Sequence, residues 1–463
     1  MAAKMTTSKA LRQRDIDHVV HPYTNFKTLA ANGPLVIERG EGVYIYDDQG
    51  RRYLEGMAGL WSTSLGFSEP RLAEAAARQF AKLPYSQIFG GRSHEPGILL
   101  AEKLTSIAPQ GLNHALFANS GSEANDAAVK IVWYYNNQRG RPARKKLIAR
   151  YQGYHGVTVA AGSLTGLPHV HADFDLPIAQ LRHTDSPSYY HYARDNETVE
   201  QFVERIAANL EDLIQKEGPD TIGAFFAEPV MGSGGVIVPP PGYFERVQAI
   251  LKKYDILFVA DEVITGFGRT GEMFGSFTYG LKPDMMSVAK ALSSSYLPIS
   301  ALLMTDDIYN AVADGSAKNG AFSHGVTYAA HPVCAAVALE TLAIYEERNI
   351  VGHVKQVSPR LQSGLQALQN HPLVGEVRGV GLLGAVELTT SKAARRGFDP
   401  KLGFGAYVQN RALEHGVVVR AIRDAVVVCP PLIINDAEIE ELLDGLRRAL
   451  DDGLTHARKQ GWL

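Results

Sequence analysis

Ile256-Leu-Phe-Val-Ala-Asp-Glu262 is the stretch whose reading decides the fold. An apolar run of this length, closed by two carboxylates, is the pattern of a strand buried on both faces of a parallel sheet. A second apolar stretch, Met285 to Ala289, carries Lys290, and a third covers Ile299 to Met304. The separation of the first two suits one crossover between neighbouring strands, which brings Asp261 and Lys290 to the same end of one sheet. Upstream, Ile222-Gly-Ala-Phe-Phe-Ala227 repeats the pattern and delivers Glu228 to its end. Three polar groups thus terminate successive apolar strands, where an open parallel sheet forms its binding crevice.

A lysine at the edge of a dry pocket can lose its proton and attack a carbonyl, forming a Schiff base. Pyridoxal 5'-phosphate needs such a lysine. It also needs an ionised acid against its pyridine nitrogen, so that the ring takes up electrons when a bond to the substrate's α-carbon breaks. Lys290 and Asp261 are the candidate catalytic amine and acid. Taken singly, each reads as readily as a solvated lysine or a turn-capping acid; placed one crossover apart, they favour the chemical reading.

Two further stretches fit the same cofactor. After the short strand Ala115-Leu-Phe-Ala118 comes Asn119-Ser-Gly-Ser-Glu-Ala-Asn125, and apolar residues then recur at helical spacing to Tyr135. Ser120 and Glu123 fit a capping box. The same helix start suits a phosphate, because Gly121 lets the backbone approach and the free N–H groups favour an anion. Lys146 to Arg150 reads as a strand leading into Tyr151-Gln-Gly-Tyr-His-Gly156, where Tyr154 could stack on a flat ring and His155 is given a supporting role.

Phe258-Val-Ala-Asp-Glu-Val-Ile-Thr-Gly-Phe-Gly-Arg-Thr-Gly271, followed by Pro283-Asp-Met-Met-Ser-Val-Ala-Lys-Ala291, resembles the core of class III aminotransferases, which include the ω-transaminases, and the likeness extends from about Pro34 to the C-terminus. It implies an α/β fold-type-I transferase, with a mostly parallel seven-stranded sheet in a large domain and a smaller α/β domain. The expected divisions are an N-terminal segment of residues 1–60 joining the small domain, a cofactor-binding domain over 61–330 and a C-terminal small domain over 331–463. For the cofactor the resemblance implies phosphate contacts from Ser120, Gly121 and Ser122, with Thr327 reaching the phosphate of a partner subunit. Glu228 would lie near the cofactor, and Val263 on the ring face opposite Tyr154. For the substrate it implies a pocket lined by Trp61 and by Phe89, the latter from the partner subunit. Arg420 would grip a carboxylate and swing away for an uncharged substituent. Met231 reads as packing or as a substrate contact, Glu228 also as a turn residue before Pro229, Thr327 also as a turn residue, Trp61 and Val263 also as core, and Arg420 also as a surface ion pair. Arg423 stands where relatives often carry a small residue, adding positive charge near the entrance. The assembly implied is a homodimer with composite sites, with a tetramer as the further alternative.

The activity implied is a pyridoxal-phosphate-dependent transaminase that moves an amino group from an amine or ω-amino acid to a keto acid, pyruvate being the expected acceptor, by ping-pong exchange. Other chemistry on this fold, decarboxylation or aminomutation, is the alternative, and a non-catalytic cofactor-binding regulator a more distant one. Gly266-Phe-Gly-Arg-Thr-Gly271 matches the dinucleotide fingerprint, but the aromatic, glycine-broken stretch after it does not open a helix, so a nicotinamide site is rejected.

Composition sets the outer bounds. A net charge of -3 with no basic stripe argues against nucleic acid and anionic membrane as partners. No run reaches the 18 or so apolar residues of a membrane helix. Two cysteines, Cys334 and Cys429, each among apolar neighbours, suggest buried reduced thiols and a cytoplasmic setting, and Met1 to Leu11 lacks the apolar core of a signal peptide. No histidine cluster closes a metal site. Leu35 to Gly50 reads as hairpin strands, and the C-terminal part as strands over Val377 to Leu388, Val417 to Arg420 and Val426 to Cys429, with helices over Phe404 to His415 and Asp436 to Leu450.

Overall fold

The computed structural model describes residues 2–463, with side chains described from Ala10 onward. The strands in chain order are β1 (Ile37–Glu41), β2 (Tyr44–Asp47), β3 (Arg52–Glu55), β4 (Leu112–Ala118), β5 (Lys146–Arg150), β6 (Leu181–Thr184), β7 (Ile222–Ala227) and β8 (Leu257–Asp261). They continue with β9 (Met285–Val288), β10 (Ser300–Thr305), β11 (Val374–Val380), β12 (Leu383–Leu388), β13 (Val417–Val418), β14 (Arg420–Ile422) and β15 (Ala425–Val428).

Seven of them form one sheet in the order β4-β10-β9-β8-β7-β5-β6. β10 runs antiparallel to both of its neighbours, while β9, β8, β7, β5 and β6 run parallel to one another. The expectation of a mostly parallel seven-stranded sheet therefore holds. Its strands are apolar throughout because both faces are covered. Phe225, Phe258, Met286 and Leu303 pack into one cluster with the helices Val199–Glu217 and Tyr243–Lys253. Their sequence neighbours Phe226, Val259, Met285 and Leu302 pack on the other side, against the helix Gly121–Gln138. β8 and β9 lie side by side with Asp261 opposite Ser287, so Asp261 and Lys290 leave the same end of the sheet, as the crossover spacing implies.

A second sheet, β1-β2-β3-β13, joins the two ends of the described chain: β13 pairs in parallel with β3, Val417 opposite Leu54. A third, β11-β12-β15-β14, is antiparallel. Two sequence readings are corrected here. Val377 to Leu388 is a hairpin, because Gly381, at φ +57, turns the chain between β11 and β12. Val417 to Arg420 is broken at Val419, with β13 in one sheet and β14 in another, so Arg420 opens a strand rather than closing one. The last helix also runs further than expected, Asp436–Lys459, from an Asn435–Glu438 capping box.

Glu262, the second carboxylate of the opening stretch, organises the crossover. It is fully buried and accepts hydrogen bonds from Thr265 Oγ1, the Gly275 and Ser276 N–H groups and Ser276 Oγ. Those bonds fold residues 262–276 into a tight loop, and the only helix in it is the single turn Gly275–Thr278. Gly266 to Gly271 is thus a structural turn. Among the described residues no helix is long and apolar enough to cross a membrane.

Phe226 is fully buried on β7 and meets the His155 ring edge-on, with centroids 6.3 Å apart. Phe226→Ala is expected to cost about 3–5 kcal/mol, read as a lower urea midpoint with an unchanged slope.

Candidate active site

The carboxyl ends of β7, β8 and β9 open into a cavity of about 790 Å³, whose walls include Lys290, Asp261, Glu228, Tyr154, Trp61 and Arg420. Asp261 is only 3% exposed, so its charge must be met by donors. Three elements supply them. The side chain of Asn125, on the first turns of the helix after β4, donates from Nδ2 to Oδ2 at 2.8 Å. His155, on the loop after β5, meets the same oxygen through Nδ1 at 2.8 Å. The Val263 N–H, just beyond β8, donates to Oδ1 at 3.1 Å. An oxygen that already accepts from an amide fixes the imidazole proton on Nδ1. The carboxylate is therefore held as an acceptor, facing a cavity into which it can offer negative charge.

Lys290 begins a short 3-10 turn, Lys290–Ser293, with a left-handed φ of +49. Such a conformation costs a non-glycine residue of order 1–3 kcal/mol and persists only where the surroundings impose it. Burial pushes its amine below the ordinary lysine range, against the opposing pull of Asp261 and Glu228. No hydrogen bond or ion pair engages its Nζ among the described residues. An unengaged amine whose pKa is lowered is more readily a nucleophile and a base than an ordinary lysine.

Glu228 braces the wall. It is buried, which raises its pKa, and its oxygens accept from the Tyr154 N–H at 2.9 Å and the Gly232 N–H at 3.1 Å. Tyr154 lines the cavity beneath Tyr23, whose hydroxyl donates to the Tyr154 hydroxyl at 3.4 Å. Trp61, 1% exposed, lies on a turn with Ala58, Gly59 and Trp61 all at positive φ.

At the helix start, Ser120 caps the helix by accepting from the Glu123 N–H at 3.2 Å, but Glu123 reaches back to the Asn119 N–H rather than to Ser120. Ser120 does not line the cavity; Gly121 and Ser122 do. A Cβ on Gly121 would lie 3.0 Å from the Val263 methyls, and one on Gly156 would lie 2.4 Å from Ser122 Oγ. Both glycines thus let neighbouring segments pack closely, and Gly121, Ser122 and Gly156 line the cavity at the N-terminus of this 18-residue helix, where backbone N–H groups favour an anion.

Like Ser120, Met231 does not line this chain's cavity, and neither do Phe89 and Thr327, the two residues expected to act across a subunit interface. Met231 is fully buried and bridged to Ile237, packed into the wall rather than facing the space, so the expected substrate contact gives way to its packing alternative. Phe89 is 48% exposed and Thr327 is also exposed, both away from this chain's cavity. Their loops pack on each other, with Tyr85 Oη donating to the Thr327 carbonyl at 2.9 Å. Asn125 and Tyr23 were not anticipated. The signal for Asn125 was an amide inside an apolar helical face, where it needs a partner. Tyr23 carried none, since residues 1–30 show no periodicity.

With this geometry in place, the comparisons are consistent with it. The chain belongs to the class-III aminotransferase family, whose model matches residues 27–450. It is a pyridoxal-phosphate-dependent aminotransferase. Among curated proteins it is 53% identical over 420 residues to gamma aminobutyrate transaminase 3, chloroplastic, of Solanum lycopersicum, covering 90% of this chain and 81% of that one. It is 53% identical over 411 residues to gamma-aminobutyrate transaminase 1, mitochondrial, of Oryza sativa subsp. indica, covering 89% and 80%. Among solved structures it matches the omega transaminase from Pseudomonas jessenii in complex with PMP, with a TM-score of 0.95 and 51% identity over 96% of this chain and 98% of that one.

The residues present fit the cofactor. The helix N-terminus at Gly121 and Ser122, which line the cavity, suits its phosphate, the free amine of Lys290 its carbonyl, and Asp261, with three donors on about four acceptor sites, its ring nitrogen. Asn125→Ala removes one donor from Asp261 and is expected to weaken cofactor retention about tenfold or more, as loss of a hydrogen bond to a charged group implies. Titration of the cofactor-free protein by absorbance reads this directly.

Proposed function

We propose that this enzyme takes the amino group of an amine or ω-amino acid and delivers it to a keto acid, with pyruvate as acceptor, in two half-reactions at one site. The observation that carries the reading is Arg420. It is half-buried in the wall that also holds Lys290, and its guanidinium makes no hydrogen bond or ion pair among the described residues. A planar guanidinium kept free of acids suits a substrate carboxylate gripped through two bonds. An ω-amino acid presents its amine to the Lys290 end and its carboxylate to Arg420. The relatives named as gamma aminobutyrate transaminases support that choice of donor. An omega transaminase engineered for bulky amines by replacing a tryptophan, a phenylalanine and an arginine, 51% identical to this chain, supports pocket roles for Trp61, Phe89 and Arg420.

Pyridoxal phosphate, when bound, supplies the sink for the electron pair left when the substrate's α-carbon gives up a proton. The chain's own residues do the rest. Lys290 Nζ, its pKa lowered by burial, accepts that proton and returns it on the other side of the exchange. Asp261, backed by His155 and Asn125, would hold negative charge against the cofactor's ring nitrogen. Tyr154 and Val263 would cover the cofactor's ring, Glu228 fixes the Tyr154 loop, and Gly121 and Ser122 would offer N–H and hydroxyl groups to the phosphate. The working unit is a homodimer, in which Phe89 and Thr327 of one protomer complete the other's site. Their exposure, beside the exposed Tyr85 and Tyr328, supports this. The compartment is the cytoplasm, a reading supported by two free, buried cysteines.

A panel of amines and ω-amino acids with pyruvate, followed as stoichiometric formation of alanine, tests the proposal; the absence of alanine with every donor would sink it. Lys290→Ala is expected to lower kcat by at least about 10²–10⁴-fold, measured in both half-reactions. The same amine sets a pH signature. Because its folded pKa lies below its unfolded value, the unfolded chain binds the extra proton between the two, so stability of the cofactor-free protein rises with pH across that window. Melting curves of Lys290→Met should lack that increment, the difference from wild type appearing below about pH 10.4.

A further inference from the structure

Arg423 is a second cation at the same cavity, and its display is built rather than incidental. β14 and β15 pair with Ile422 opposite Ala425, so Arg423 and Asp424 form a two-residue hairpin tip. Arg423 takes φ +54 there, a conformation that glycine or asparagine adopts at lower cost. The tip is braced from behind. A Cβ on Gly405 would lie 2.0 Å from the Arg423 carbonyl oxygen, and the Ala421 N–H donates to Gln409 Oε1 at 2.7 Å, so the helix Phe404–Glu414 packs directly on the turn. The neighbouring acid is engaged elsewhere, with Asp424 Oδ2 accepting from the Phe398 N–H at 2.9 Å. Arg423 itself is exposed at the rim, lines the cavity, and makes no ion pair or hydrogen bond among the described residues.

Arg420 and Arg423 act on one place. His169, also in the cavity wall, has its pKa lowered by burial and then by both arginines. The mouth therefore carries two unneutralised guanidinium groups at two depths, while the cavity's carboxylates, Asp261 and Glu228, are deep and already satisfied by donors. One substrate carboxylate needs one arginine. A second, braced and unpaired, suits a second carboxylate further from the reacting carbon.

We infer that Arg423 is a specificity-determining residue that holds the distal carboxylate of a dicarboxylic keto acid or amino acid while Arg420 holds the nearer one. This rests on the transaminase reading above and narrows its substrate class: the enzyme accepts a dicarboxylic acceptor as well as pyruvate.

The test compares kcat/KM for 2-oxoglutarate and for pyruvate, with one amine donor, in the holoenzymes of wild type, Arg423→Gly and Arg423→Lys. Glycine suits the positive φ, so the turn is retained without the charge. In Arg423→Gly the 2-oxoglutarate to pyruvate ratio is expected to fall about fivefold to tenfold, as loss of one partly screened charge pair implies. The loss should appear in KM rather than kcat. Arg423→Lys should stay near wild type, and added salt should lower the wild-type ratio but not that of Arg423→Gly. An unchanged ratio in Arg423→Gly, an equal fall for both acceptors, or a wild type that uses pyruvate and refuses 2-oxoglutarate each overturns the inference while leaving the transaminase reading intact. Transfer to neither acceptor overturns that reading instead.

Discussion

A carboxylate shut away from water is the constraint around which this molecule is arranged. Asp261 stands at the end of β8 with 3% of its surface exposed, and it is tolerable there only because its oxygens are met by donors. Those donors come from three separate places: the helix behind β4, the loop behind β5 and the turn behind β8 itself. β4 and β5 lie on opposite sides of β8 in the sheet, so the carboxylate is satisfied only when the whole strand order is correct. Fold and site are thereby tied to one another. A misplaced strand would expose not merely an apolar face but an unpaired charge.

The adjacent Glu262 shows how one feature in the sequence divides in space. The backbone emerging from β8 points one acid at the cavity and turns the next into the crossover loop, where four donors from Thr265, Gly275 and Ser276 surround it. The first faces the cavity and the second holds the residues that a dinucleotide fingerprint would have claimed. The glycines of that stretch are there for the turn and for close packing. Gly266 is an example, where a Cβ would lie 2.8 Å from the Glu262 carbonyl oxygen.

The parts of this arrangement that were legible in the sequence are those written in strong local patterns. Unbroken apolar runs ending on Glu228, Asp261 and Lys290 specify strands covered on both faces, and an acid or amine at such an end has one direction in which to go. What was not legible depends on partners far away in sequence. Val417-Val-Val-Arg420 looks like one strand because β-branched residues continue through it, yet β3 captures its first half and β15 its second. Met231 is apolar and follows Glu228 closely, so sequence allows it to face the cavity or the wall; the bridge to Ile237 chooses the wall. Phe89 and Thr327 sit on loops that pack on each other at the surface, and no periodicity says what such loops face.

The cavity's electrostatics follow from where each charge could be afforded burial. Acids occupy the deep end, because backbone N–H groups and side-chain amides at strand and helix ends are available there to solvate them. Guanidinium groups occupy the antiparallel sheet at the rim, where water reaches them and no acid is needed. Lys290 is set in the same wall, within electrostatic reach of both zones, in a strained turn at the end of β9. Desolvation is the largest influence on it and works against the pull of Asp261 and Glu228, and a lysine lowered in this way is more available both as a nucleophile and as a carrier of protons.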